Sequence, residues 1–153
     1  MSSLELIKEP NPILRHKAKK IIEITAAIKQ LILDMGQTMK KNKGVGLAAP
    51  QINQSIRLCV ISTEKGPLAL INPQITWKSI RKEIEEEGCL SCPGVYGFVK
   101  RAKIIYVKAL NQEGKLIKFR AEGFFSRVIQ HEVDHLNGIL IIDKLIIVNC
   151  KFS

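Results

Sequence analysis

The spacing of apolar residues changes period twice along the chain. Ile24, Ile28, Leu31, Met35 and Met39 stand at steps of four, three, four and four, with Lys29, Gln37 and Lys40 between them. This is the stripe of an amphipathic helix over residues 25–41. Thr25 stands where an N-cap belongs, and Gly44 lies just past the end. The period then shortens. RLCVIS (57–62), LALINP (68–73), QITWKS (74–79), KIIYVKAL (103–110) and LIKFRAE (116–122) are short runs rich in β-branched and aromatic residues. Turn signals at Lys65-Gly66-Pro67 and Gln112-Glu113-Gly114 separate them, so each predicts a strand. Helical spacing returns from Gly123 to Asn137 and is closed by Gly138. A helix, a series of strands and a second helix, without βαβ alternation, predict an α+β fold. Small antiparallel or mixed β-sheets would pack around the second helix, with the first as an N-terminal amphipathic helix.

Composition changes this picture little. Of 153 residues, 46% are hydrophobic and 25% charged, which suits a folded chain. No repeat or low-complexity linker divides it, so residues 1–153 read as one domain. Lys and Arg outnumber Asp and Glu by 24 to 14, a formal charge of +10 that would attract polyanions such as ribosomal RNA. The lysines are scattered (KKNK, RHKAKK, KSIRK) without interleaved aromatics, so a solubilising surface explains them more simply; no RNA-binding module is read and no DNA partner is expected. The start carries acids and lacks the apolar core of a signal peptide. The apolar run ILIIDKLIIV is broken by Asp143 and Lys144, so no membrane span is expected. Four cysteines are too few for a disulfide scaffold. A reducing, cytoplasmic setting is therefore expected.

Chemistry concentrates in two stretches, QHEVDHLNG and EGCLSCPG. His131 and His135 are four residues apart on the second helix, hence on one face, where two imidazoles can hold one metal ion. Phe124 and Val128 share that stripe and would form an apolar wall. Glu132 is turned to the side, placed to act as an acid or base without becoming a ligand. Asp134 points away from the ligand face and is expected to form a hydrogen bond or salt bridge behind it. The remaining histidine, His16, sits among lysines and reads as a surface residue. A third ligand must come from Cys89 or Cys92. Both together would make a closed Cys2His2 structural zinc module; one alone would leave an open position, as in a metallopeptidase. In an extended strand their odd separation would point them to opposite faces, which favours a single cysteine ligand.

A third stretch, GVGLAAPQ (44–51), is glycine-rich and ends in an amide, without the ending of a phosphate-binding loop. With it, the sequence resembles the peptide deformylase family. That family carries Gly-φ-Gly-φ-Ala-Ala-x-Gln, Glu-Gly-Cys-φ-Ser and His-Glu-φ-Asp-His in order, φ being apolar; here they stand as GVGLAAPQ, EGCLS (87–91) and HEVDH (131–135). PNPILRHKAKKI, LINP (70–73) and AEGFFSRVIQHEVDHLNG (121–138) extend the likeness over most of the chain.

The resemblance implies a single catalytic domain that removes the formyl group from the N-terminal formyl-methionine of nascent polypeptides, releasing formate. It implies a ferrous ion held by Cys89, His131 and His135, with zinc, nickel or cobalt as substitutes. Glu132 would be the general base and acid, with Gln51 and the Leu90 amide stabilising the oxyanion. Val45, Gly46 and Gly88 would pair with the substrate backbone. Phe124, Val128 and the methylenes of Glu87 would border the methionine pocket. The sequence departs from the family pattern at Cys92, where an aliphatic residue is usual, and at Phe124-Phe125, in place of a common Leu-Leu. Cys92 is therefore expected to pack and to point away from the site. The segment after Gly138 is short and β-branched, so the C-terminal helix that some bacterial members use for ribosome docking is not expected. Only transient ribosome association through the positive charge stays open.

Overall fold

The computed structural model describes residues 4–150, of which 147–150 by backbone alone. Helix α1 runs Ala26–Lys41, and the Thr25 hydroxyl caps it by accepting from the Ile28 N–H at 3.2 Å. Its buried face is Ile32, Met35, Gly36, Thr38 and Met39, whereas Ile28 and Leu31 are only partly covered. The covered stripe is thus rotated slightly from the expected one. The left-handed residue that ends the helix is Lys43 (φ 56°), one position before the expected glycine.

Strands β1 (Gly46–Ala48), β2 (Leu58–Thr63), β3 (Gly66–Lys78), β6 (Ile104–Leu110) and β7 (Leu116–Glu122) form one sheet in the order β1-β2-β3-β6-β7. All its pairings are antiparallel. The runs 68–73 and 74–79, expected as two strands, are one strand with irregular register at Asn72-Pro73. Asn72 takes a left-handed backbone (φ 51°), and its amide exchanges two 2.8 Å hydrogen bonds with the backbone of Ile21. The strand bends there without leaving a buried polar group unpaired.

The second sheet, in the order β4-β5-β8, was not expected from the sequence: β4 is Lys82–Cys89, β5 Cys92–Ala102 and β8 Leu145–Cys150. Strand β8 occupies part of the tail that was expected not to form a helix. Helix α2, Phe124–Leu136, carries the His-Glu-Val-Asp-His motif and packs on β1, β2, β3, β5 and β7. It is central, as expected. Ile129 and Leu136 are fully buried on it, in a core shared with Ala48, Ile61, Leu70 and Ile105. Gly138 closes the helix at φ 75° against the backbone of Arg15, where a side chain would collide.

Candidate active site

The sheet orders leave β1 and β4 at edges, and a cavity lies between them. It measures about 360 Å³. Every expected site residue except His135 lines it: Val45, Gly46 and Gln51 on one side, Glu87, Gly88, Cys89 and Leu90 on the other, with Phe124, Val128, His131 and Glu132 from α2. Phe124 is largely exposed at the rim, whereas Phe125 turns inward and stacks on Phe119, with ring centroids 5.9 Å apart. Only one of the two phenylalanines can therefore shape the cavity.

The donor atoms of Cys89, His131 and His135 lie within 4.8 Å of one another. The His135 Nε2 is 3.3 Å from the Cys89 Sγ and 3.2 Å from the His131 Nε2. Tetrahedral bonds of roughly 2.0–2.3 Å would separate such donors by roughly 3.3–3.6 Å. The donor set therefore fits a metal ion. The surroundings agree. Burial opposes a charge on His131, but Glu132 and Glu87 outweigh it and raise its pKa, so positive charge is favoured there. Burial, with His131 beside it, holds His135 well below its ordinary value and keeps it a neutral donor. Contact with Cys92 and burial raise the Cys89 thiol, so a thiolate there needs a cation next to it.

Cys92 lies outside this donor set, so a Cys2His2 site is not assembled. It packs instead with Leu14 and Leu140. One expectation is corrected here. Leu90-Ser91 form a two-residue turn, and Cys89 and Cys92 face each other across it as register partners of β4 and β5. They do not stand on opposite faces of one strand.

Glu132 is buried, and its Oε1 has no hydrogen-bond partner. Burial pushes its carboxyl up to about 7, against the pull of His131. A carboxylate poised near neutrality can both take and return a proton. Gly46 makes room for it, because a Cβ there would collide with the Glu132 carboxylate. Gly46→Ala is expected to fold and to lose about 10²-fold in kcat, since a misplacement of about 1 Å can cost that much. Thermal unfolding and turnover measured together check this; a fully active variant would contradict it.

Gln51 sits in the 3-10 turn Ala49–Ile52. Its Oε1 accepts from the Ala48 N–H at 2.9 Å, which turns Nε2 toward Ser91 Oγ (3.1 Å) and Cys89 Sγ (3.8 Å). Ser91 Oγ in turn donates to the Ile7 carbonyl at 2.7 Å, tying the N-terminal segment to the back of the site.

Glu87 does more than border the cavity. Its Oε1 accepts from His131 Nδ1 at 3.0 Å, leaving Nε2 to face the donor set. Arg101 grips the same carboxylate with two bonds, at 2.9 and 3.0 Å, and Arg127 adds a third at 2.6 Å. Burial alone would raise Glu87, but the hydrogen bonds from His131 and Arg101 hold it far below the usual carboxylate range. Asp134 binds Arg101 and, at 3.2 Å, Lys144, in line with its expected place behind the ligand face. Among the residues that sequence reasoning missed, Arg127 stands four residues before His131 on the same helical face, a usable signal; Arg101 had none. Arg101→Ala is expected to destabilise the fold by roughly 3–5 kcal/mol, as for other buried ion pairs losing one partner. A urea midpoint unchanged from the parent would refute this.

A sequence profile described as polypeptide deformylase matches residues 3–150. The chain belongs to the polypeptide deformylase family. It is 50% identical over 148 residues to a peptide deformylase of Halothermothrix orenii, covering 95% of this chain and 96% of the relative. The crystal structure of a peptide deformylase from Thermotoga maritima superposes with a TM-score of 0.93 at 41% identity, covering 95% of this chain and 99% of that one. A Met-Ala-Ser-bound peptide deformylase from Acinetobacter baumannii gives 0.90 at 33% identity, over 94% and 99%. Peptide deformylases are metal-dependent hydrolases that remove the N-formyl group from nascent polypeptides. The α+β fold is that of the deformylase structures, and Cys89, His131 and His135 form a cluster that could hold a metal ion.

Proposed function

We propose that residues 1–153 act as one catalytic domain that hydrolyses the N-formyl amide of formyl-methionine polypeptides, with Cys89, His131 and His135 as metal ligands. The observation that carries this is the convergence of three donors and an unpartnered Glu132 carboxylate in a cavity between two free strand edges. Backbone groups at such edges bind extended peptides by adding a strand. Val45 and Gly46 on one side and Gly88 on the other would align the substrate so that its first side chain meets Val128, Phe124 and the Glu87 methylenes. A bound divalent ion would supply Lewis acidity, easing ionisation of the attacking water and polarising the formyl oxygen.

Glu132 takes the proton from the attacking water and later delivers it to the departing amine. Gln51 Nε2 and the Leu90 N–H donate to the oxygen that gains charge. Glu87, gripped by Arg101 and Arg127, keeps His131 in the tautomer that presents Nε2. Formate and a free amino terminus leave.

We assign Fe(II) as the working ion from the resemblance; zinc, nickel and cobalt suit the same thiolate and imidazole donors. The relative that binds Met-Ala-Ser supports a peptide product of that kind here. Nascent chains as substrate support a cytoplasmic site of action, and the +10 charge supports transient contact with the ribosome. No described helix is long and apolar enough to cross a membrane. The test is incubation with formyl-Met-Ala-Ser. Formate release with both peptide bonds intact is expected, whereas cleavage within the peptide would point to a metallopeptidase.

A further inference from the structure

Cys92 has no part in the proposed hydrolysis, although it stands across a two-residue turn from a proposed metal ligand. We propose that Cys92 is a resolving thiol that joins Cys89 in a reversible disulfide under peroxide, taking Cys89 out of the donor set and releasing the metal. The consequence for the metal rests on the ligand role of Cys89; the disulfide itself rests on the hairpin.

Cys89 ends β4, Cys92 begins β5, and they are register partners across Leu90-Ser91. The ends of such a turn lie within roughly 7 Å by Cα, and paired residues of an antiparallel ladder lie roughly 4.5–5.5 Å apart. Disulfides span roughly 4.4–6.8 Å between Cα atoms. Cys89 also packs against the apolar cluster that holds Cys92. Their access differs. Cys89 lines the cavity, so a small hydroperoxide reaches it first. Cys92 is 4% exposed behind it, among Leu14, Leu140 and partly buried Ile7 and Ile13. The second sulfur is therefore shielded from solvent oxidants but in reach of the first.

The steps balance. The Cys89 thiolate attacks the O–O bond of hydrogen peroxide, forming a sulfenic acid and releasing hydroxide. The Cys92 sulfur then attacks the Cys89 sulfur; the S–O bond breaks, and the departing oxygen leaves as water with the Cys92 proton. Two thiol sulfurs are oxidised to a disulfide, and both peroxide oxygens are reduced. A sulfenic acid with no partner thiol would proceed to sulfinic and sulfonic acids, which dithiothreitol does not reverse. Cys92 would thus convert a permanent lesion into a reversible pause.

The test treats metal-loaded protein with stepwise hydrogen peroxide. Non-reducing peptide mapping, metal release to a chromogenic chelator and formate release are followed together. The parent is expected to give a Cys89–Cys92 linked peptide in step with metal release, and to regain activity after dithiothreitol and metal. Cys92→Val, whose side chain suits the apolar strand position, is expected to start with full metal and activity, to form no link, and to recover several-fold less. Cys92→Ala serves if the valine variant folds poorly. Activity loss in the parent without this link, a link to another cysteine instead, or equal recovery in parent and variant would overturn the proposal. A link formed while the metal stays bound would overturn the ligand role of Cys89 and the release with it. Absence of the link would leave the deformylase reading intact, which the Cys89→Ala variant tests separately.

Discussion

Glu132→Ala is expected to keep its metal and to lose at least about 10²–10⁴-fold in kcat, the usual worth of a general acid–base group. Glu132 is the one buried carboxylate at the donor cluster with an unpartnered oxygen, so no other described side chain is placed to replace it. The proposed ligands are Cys89, His131 and His135, so metal content should match the parent. Substrate alignment would come from the backbone at Val45, Gly46 and Gly88, so KM should change far less than kcat. Metal analysis and formate release on one sample check both halves. A fully active variant would show that another group moves the proton.

The second large effect is expected at Cys89. Cys89→Ala removes the one soft donor of three, so metal affinity should fall by more than the roughly 10–100-fold typical of losing a ligand's hydrogen-bond partner. Activity should fall with it. His135→Ala is expected to behave alike, because its Nε2 lies within 3.3 Å of both other donors. Cys92→Val should keep the metal, since Cys92 is held by Leu14 and Leu140 outside the donor set. Equal metal loss from the Cys89 and Cys92 variants would restore the closed Cys2His2 reading.

Much of this was legible in the sequence, and the gaps have physical causes. Both helices announced themselves through apolar periodicity, and their ends fell within a residue of the expected bounds. The β4–β5 hairpin did not. KEIEEEGC is half glutamate, and CPGVYGFVKRA is broken by Pro93, Gly94 and Gly97, so neither has strand-like composition. They are strands because they pair with each other along Lys82–Gly88 and Tyr96–Ala102, a tertiary effect that overrides local preference. Missing that hairpin also misplaced Cys92, because two cysteines across a turn face each other whereas two along a strand three apart do not. The grip of Arg101 on Glu87 was hidden for the same reason, being a contact between the two arms of the hairpin. The His-Glu-His set, by contrast, lies within one helix, where spacing alone dictates geometry.

The most direct measurement of the central claim follows formate release from formyl-Met-Ala-Ser under anaerobic conditions while the metal is removed by a chelator and then returned. The account predicts that activity falls in proportion to metal content and returns fully at one divalent ion per chain. Activity that persists after the metal has gone would contradict it.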